Sequence, residues 1–208
     1  TMRQAFLSGE DIHTVTASQV FGVPTEAVTK QMRSHAKAVN FGIVYGIGAF
    51  SLSQDIGVTV SEADQYIKDY LETYSGVRQY MEDTVEFAKE NGYIATLLGR
   101  RRALPEISAR NKNIVNFGKR VAMNTPIQGT AADIIKIAMV HVRNRLKAEK
   151  LDAKLILQVH DELIVECPEA ESDTVKKILE EEMANAVQLS VPMLAEAGSG
   201  KSWYQAKG

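Results

Sequence analysis

Two short β-prone runs lie side by side in a chain that otherwise reads as helix, and this limits the fold more than any other feature. Leu155-Ile-Leu-Gln-Val159 and Leu163-Ile-Val-Glu-Cys167 are separated only by His160-Asp161-Glu162. As a single strand the stretch would exceed the usual limit of about ten residues, so the pattern predicts a hairpin broken near Asp161. Elsewhere apolar residues recur at helical spacing. Ser61 with Asp64 reads as a capping pair ahead of Ala63, Tyr66, Ile67, Tyr70, Leu71 and Tyr74. Gly76 is expected to interrupt, after which Val77, Tyr80, Met81, Thr84, Val85 and Ala88 form a second stripe ending at Asn91-Gly92. Thr130 with Asp133 reads as the cap of a helix whose apolar face is Ile135, Ala138, Met139, Val142 and Leu146. A last amphipathic helix would carry Val175, Ile178, Leu179, Met183, Ala186 and Val187. The fold class predicted is α+β and helix-rich with a small antiparallel sheet, its helical and mixed halves meeting near Arg110.

Composition permits real cores, since 45% of the 208 residues are hydrophobic. No run approaches the roughly 20 apolar residues of a membrane span, and the N-terminus lacks the pattern of a secretion signal. The single cysteine, Cys167, allows neither an internal disulfide nor a Cys-rich zinc site. A reducing cytoplasm is the location expected. The net charge of −2 hides an asymmetry: residues 95–150 carry 12 basic and 3 acidic side chains, whereas both flanking segments are acidic. A basic block in an acidic chain suits either a polyanion surface or a solvated helical face.

The sharpest pattern is in Lys30 to Gly46. Arg33, Lys37, Phe41 and Tyr45 recur at every fourth residue. Each step turns the side chain by about 40°, so all four share one stripe of about 120° that runs ~18 Å along the axis. With cations at one end and aromatics at the other, the stripe matches a nucleoside triphosphate: phosphates over Arg33 and Lys37, sugar and base near Phe41 and Tyr45. Arg offers a planar fork to phosphate, and Lys a compact charge that can also pass a proton. An ordinary helix with exposed cations and buried aromatics would share this spacing.

The series Arg33-SHA-Lys37-AVN-Phe41-GIV-Tyr45-Gly46 resembles the nucleotide-binding helix of the family A, or bacterial DNA polymerase I, enzymes. Asp11-Ile-His13-Thr14 is similar to a family segment whose His contacts the triphosphate. Asn124-TPIQGTAAD-Ile134 resembles a further family segment, and Gln158-Val-His160-Asp161-Glu162 its catalytic hairpin. The resemblance implies a DNA-templated DNA polymerase portion that transfers deoxynucleotides to a primer 3′-OH. Residues 1–110 would be mainly fingers, with the nucleotide-binding helix at about 30–46. Residues 111–208 would be part of the palm, with the catalytic hairpin at about 155–167. His13, Arg33, Lys37, Phe41 and Tyr45 would bind the nucleotide, and Lys37 would also serve catalysis.

Nucleotidyl transfer uses two divalent cations, and Mg²⁺ takes one or two carboxylates plus substrate phosphate. By resemblance Asp161 is one of the two catalytic aspartates, with Glu162 an accessory; without it, HDE between apolar runs reads as turn chemistry. The family's other aspartate belongs to a motif that would fall just before Thr1, together with a Glu that screens the sugar 2′ position. Half of the two-metal Mg²⁺ site is thus expected from an upstream remainder of the polymerase chain.

Primer–template DNA is the other partner implied, with no membrane. Gly99-Arg100-Arg101-Arg102, Arg110, Lys112, Lys119 and Arg120 supply charge that can contact phosphates without reading sequence. Asn124, Gln128 and His160 are uncharged groups suited to minor-groove acceptors present in every base pair. The resemblance assigns these three to the primer-terminal pair, and Arg102 and Arg120 to backbone or nearby contacts. Ser34, Lys119 and Glu196 depart from the family pattern. Two other classes compete: a DNA-binding module inactive on its own, and a metal phosphohydrolase using His160-Asp161. The second needs further His and Asp ligands that the four histidines do not supply.

Overall fold

The computed structural model describes residues 2–207, apart from the side chain of Val44. Its helices are α1 (Met2–Ser8), α2 (Ile12–Phe21), α3 (Lys30–Val44), α4 (Ala49–Ile56), α5 (Val60–Thr73), α6 (Ser75–Asn91), α7 (Lys112–Ala148), α8 (Ser172–Ala184) and α9 (Trp203–Ala206). The strands are β1 (Tyr93–Ala95), β2 (Arg101–Ala103), β3 (Lys154–Val159) and β4 (Glu162–Glu166), paired antiparallel as β1–β2 and β3–β4. The α+β, helix-rich class expected from the sequence is the one observed. Two compact units divide the chain, residues 1–129 and 130–208.

In the first unit α3, α4 and α5 close over Val39, Ile43, Leu52, Ala63, Tyr70 and Tyr74. Leu52 and Tyr70 are almost fully enclosed, a burial that contributes about 1.5–3 kcal/mol for a side chain such as Leu52. The cap of α5 is Thr59 with Glu62, not Ser61 with Asp64. Thr59 Oγ1 accepts from the Glu62 N–H, and the Glu62 carboxylate accepts from the Thr59 N–H at 2.8 Å. A Glu side chain is long enough to reach back to the cap residue; Asp64 lies inside the helix and pairs with Lys68. The break before α6 falls at Tyr74, whose φ of −108° and ψ of 60° are not helical, and Gly76 lies inside α6. A second core joins Ala88 of α6 with Leu104, Ile107 and Ala122. The β1–β2 hairpin has no counterpart in the sequence reading. Its strands are three residues each, too short for periodicity to register, and its turn depends on Gly99 at φ 84°.

The reading of Thr130 and Asp133 as a helix start is also overturned. α7 runs unbroken from Lys112 to Ala148 with Pro126 inside it. Proline forfeits one helical hydrogen bond, but the helix is packed on both sides of it, through Ala122 before and Ala138, Val142 and Leu146 after.

In the second unit Val142 and Leu146 pack with Val175 and Ile178 of α8, and Leu163 and Val165 of β4 close the cluster. α8 stops at Ala184, short of Val187, although Ala186 is still buried. The hairpin forms where expected. Its register pairs Lys154 with Glu166 and Val159 with Glu162, with an irregularity between Leu155 and Leu157. The turn is only His160 and Asp161, and His160 takes the left-handed conformation at φ 51°.

Candidate functional site

α3 is built so that one face is core and the other is free. Thr29 caps it by accepting from the Met32 N–H at 3.2 Å. Ala36, Val39, Asn40 and Ile43 are buried, whereas Arg33 and Lys37 are exposed, and Phe41 and Tyr45 are 50% and 47% exposed. The alternative of exposed cations with buried aromatics therefore fails: the aromatics belong to the open stripe. Tyr45 stands just past the last helical residue, as its cap.

His13, one residue into α2, joins this stripe. Its ring centroid lies 5.7 Å from that of Phe41, and Lys37 Nζ lies 6.0 Å from the Phe41 centroid. Asn40, on the buried side of α3, donates its amide to His13 Nδ1 and to Thr16 Oγ1, each at 3.1 Å. Thr16 Oγ1 in turn lies 3.1 Å from the Tyr74 hydroxyl. With Nδ1 accepting, the imidazole proton resides on Nε2. Burial pushes the His13 pKa down; Asp11 opposes this, and Arg33 and Lys37 reinforce it. The ring is a neutral donor beside two cations.

Arg33 is not idle. Its Nε donates to Asp11 Oδ2 at 2.6 Å and its Nη2 to Oδ1 at 3.2 Å. The Arg33 guanidinium holds the Asp11 carboxyl far below its ordinary range, partly offset by burial and helped by Thr14 and the His13 N–H. Asp11 also caps α2. The fork is thereby fixed in direction while both Nη1 hydrogens stay available for an anion.

Arg120 reaches the end of the same helix. Gly46, at φ 68°, backs onto it so closely that a Cβ there would come within 2.7 Å of Arg120 Cγ. The guanidinium of Arg120 lies 5.9 Å from the Phe117 centroid. Arg102 donates to Thr125 Oγ1 at 3.3 Å, and Arg100 to the Gly129 carbonyl at 2.9 Å. Asn124 Oδ1 is buried with no hydrogen-bond partner, and Gln128 is exposed. Arg101 covers the Tyr93 ring at 4.6 Å.

In the second unit the hairpin turn presents Asp161. Its side chain is exposed and makes no hydrogen bond or ion pair among the described residues. Gln158 Nε2 donates to the His160 carbonyl at 2.6 Å, bracing the turn from β3. Glu162 differs from Asp161. Lys207 Nζ holds its Oε1 at 2.6 Å and Trp203 Nε1 donates to its Oε2 at 3.1 Å. The Lys207 ammonium, with Trp203 and His160 assisting against burial, keeps the Glu162 carboxyl below its ordinary value. No cluster of three or more His, Cys, Asp or Glu suited to a metal occurs among the described residues.

The structure thus gathers His13, Arg33, Lys37, Phe41 and Tyr45, with Arg120 at their edge, in one unit. His160 and Asp161 form the hairpin turn in the other, with Glu162 next to them as the first residue of β4. Four residues escaped the sequence reading as partners: Asp11, Asn40, Trp203 and Lys207. Asp11 was within reach as the acidic residue of its motif; for the others no periodicity points to the contact.

This helix-rich α+β fold is that of a nucleic-acid polymerase domain. A solved structure, the POL domain of Pol1 from M. smegmatis in complex with DNA primer-template and dNTP, matches the whole chain with a TM-score of 0.94 and 40% identity, over 36% of its own length. The model of DNA polymerase family A matches residues 1–205, and the chain belongs to that family. DNA polymerase I of Bacillus subtilis is 53% identical over 204 residues, 98% of this chain and 23% of its own length. DNA polymerase I of Bacillus caldotenax is 50% identical over 206 residues, 99% and 24% respectively. The chain spans about a quarter of the length of these curated relatives.

Proposed function

We propose that this chain contributes to DNA-templated DNA synthesis as the fingers and part of the palm of a longer polymerase. The observation that carries the reading is the open stripe of α3, where Arg33, Lys37, Phe41 and Tyr45 face outward beside the neutral His13. Core packing gives no reason to expose two aromatics in line with two cations. Laid on the stripe, a deoxynucleoside triphosphate places its phosphates between the Arg33 fork, Lys37 Nζ and His13 Nε2–H. Its sugar and base meet Phe41 and Tyr45. The primer 3′-OH gives its proton to solvent water as its oxygen bonds to the α-phosphorus and the bond from that phosphorus to the oxygen bridging it to the β-phosphate breaks; Lys37 gives a proton to the departing pyrophosphate and regains one from solvent. Arg102, Arg120, Asn124, Gln128 and His160 take the primer–template, the arginines through phosphates and the uncharged groups through minor-groove acceptors.

Mg²⁺ fits the residues present to a limited extent. Asp161 is a bare carboxylate on a braced turn, which suits a cation that takes one or two protein carboxylates. Glu162, the accessory candidate, already has both oxygens engaged. When bound, the cations would make the primer oxygen a better nucleophile and offset phosphate charge. This chain's part is to hold Asp161 in place, the remaining carboxylate coming from the upstream chain. No helix among the described residues is long and apolar enough to cross a membrane.

A second reading, a DNA-binding module inactive on its own, is favoured by that single free carboxylate. Primer extension by the 208-residue chain and by the complete polymerase separates the two. The chain alone should bind primer–template yet extend it negligibly with Mg²⁺ and four deoxynucleotides, and the complete enzyme should extend it. Robust extension by the chain alone, abolished by Asp161→Ala, would refute the need for an upstream carboxylate. A complete enzyme indifferent to Asp161→Ala would overturn the catalytic reading.

A further inference from the structure

The C-terminal segment folds back as a hook whose end closes on Glu162. Its start is tied to α8, where the Ala197 N–H donates to Glu180 Oε1 at 3.0 Å. Gly198 and Gly200 lie against the backbone of residues 205–206. A Cβ on Gly198 would meet the Ala206 carbonyl oxygen at 2.0 Å, and one on Gly200 would meet Gln205 Cβ at 2.7 Å. The loop can close only because both positions lack a side chain. Ser202 caps α9 by accepting from the Gln205 N–H, and the Lys201 N–H donates to Gln205 Oε1. One turn of helix then sets Trp203 and Lys207 on the same side, the ammonium 5.7 Å from the indole centroid. Together they occupy both oxygens of Glu162.

Glu162 is the residue next to Asp161. The two-residue turn between β3 and β4 holds His160 in the left-handed conformation, which a residue with a Cβ adopts only at a cost. Such a turn keeps one geometry when its neighbours fix it. Gln158 does so from β3, through the His160 carbonyl. The hook does so from β4, through the Glu162 side chain. It also sets charge: with Lys207 against Glu162, Asp161 is the turn's only uncompensated carboxylate.

We propose that Trp203 and Lys207 are positioning residues for Asp161, fixing Glu162 and cancelling its charge so that the turn offers one carboxylate in one place. The proposal rests on the reading of Asp161 as a cation ligand and goes beyond it, because it takes Glu162 out of direct coordination. Losing Lys207 then has two opposite consequences. A second free carboxylate beside Asp161 strengthens cation attraction, while Asp161 itself loses its fixed position.

The test uses the complete polymerase with primer–template. Mn²⁺ affinity is followed by the electron paramagnetic resonance of free Mn²⁺, alongside single-turnover extension. Lys207→Met should tighten Mn²⁺ binding about three- to tenfold and slow extension roughly tenfold. Lys207→Arg, keeping the charge, should retain both native values. In Lys207→Met/Glu162→Gln the Mn²⁺ affinity should return to native, because Lys207 acts through Glu162. Trp203→Phe should slow extension without changing Mn²⁺ affinity. An unchanged affinity and rate in Lys207→Met, or a double variant as altered in affinity as the single one, would overturn the proposal. Asp161→Asn separates the two layers. If it keeps native Mn²⁺ binding, the assignment of Asp161 is wrong; if it loses binding while Lys207→Met behaves as native, only the hook is.

Discussion

The α3 stripe and the β3–β4 turn carry the two halves of the proposed chemistry in different ways. The stripe has its charges, its aromatics and a neutral imidazole donor already arranged by a helix whose other face is core. Rigidity there comes from Asn40, buried and bonded to His13 and Thr16, and from Asp11 bonded to Arg33. The turn has one bare carboxylate and two braces, Gln158 and the C-terminal hook. Binding groups spread along a helix can each contribute to holding a triphosphate. A single carboxylate has no such redundancy, and it depends on partners supplied from elsewhere. Loss of one side chain should therefore be graded on the stripe and near-total at the turn.

The largest effect tests that contrast directly. In the complete enzyme Asp161→Ala should reduce single-turnover extension by at least about a hundredfold, leaving primer–template affinity nearly unchanged. A loss of affinity of similar size would place Asp161 in DNA binding and erase the distinction. Next, Arg33→Ala and Lys37→Ala should each weaken nucleotide binding by about 10- to 100-fold, as expected for loss of a charge-assisted hydrogen bond. For Lys37→Ala the maximal rate should fall as well. Steady-state KM and kcat on a primed template separate the two residues, and equal behaviour would deny Lys37 a proton-transfer role.

Smaller effects sharpen the picture. Charge reversal at Arg102 or Arg120 should weaken DNA binding across all sequences and reduce the steepness of its salt dependence by about one phosphate contact each. Titrations at two ionic strengths read this out, and a sequence-selective loss would contradict it. Phe41→Tyr should improve use of dideoxynucleotides several-fold in competition, because the new hydroxyl can replace the missing 3′-OH as a phosphate donor. Unchanged selectivity would remove Phe41 from the sugar site. The smallest effect belongs to His13. Its pKa is lowered on folding, so its neutral form contributes stability that is complete above about pH 6.5 and lost as pH falls through the lowered value. His13→Gln should flatten that part of the stability profile in urea titrations between pH 5 and 7, within a few tenths of a kcal/mol; an identical profile would mean that His13 is not held neutral.

How much could be read before folding is clearest in three elements. The α3 stripe was legible because helical periodicity is a local property: four residues at a spacing of four share a face whatever surrounds them. The hairpin was legible because two β-prone runs with a three-residue gap leave few alternatives. α7 was misread, because whether Pro126 ends a helix depends on how the flanking turns pack, and Ala122 and Val142 are buried by partners distant in sequence. The β1–β2 hairpin was hidden for another reason: its strands are three residues each, too short for a period to register, and its turn rests on Gly99.

By itself, then, the sequence determined the helix-rich class, the shared face of Arg33, Lys37, Phe41 and Tyr45 on α3 and the position of the turn that bears Asp161. These follow from side-chain period and turn chemistry along the chain. Only the tertiary structure decided which way the aromatics of the stripe face, that Asn40 fixes the His13 proton on Nε2, and that Arg33 is already paired with Asp11. It also decided that Glu162 is held by Trp203 and Lys207, 41 and 45 residues further along the chain. Hydrogen bonds and ion pairs between distant residues depend on where the packed elements bring them, and local pattern has no means of encoding that.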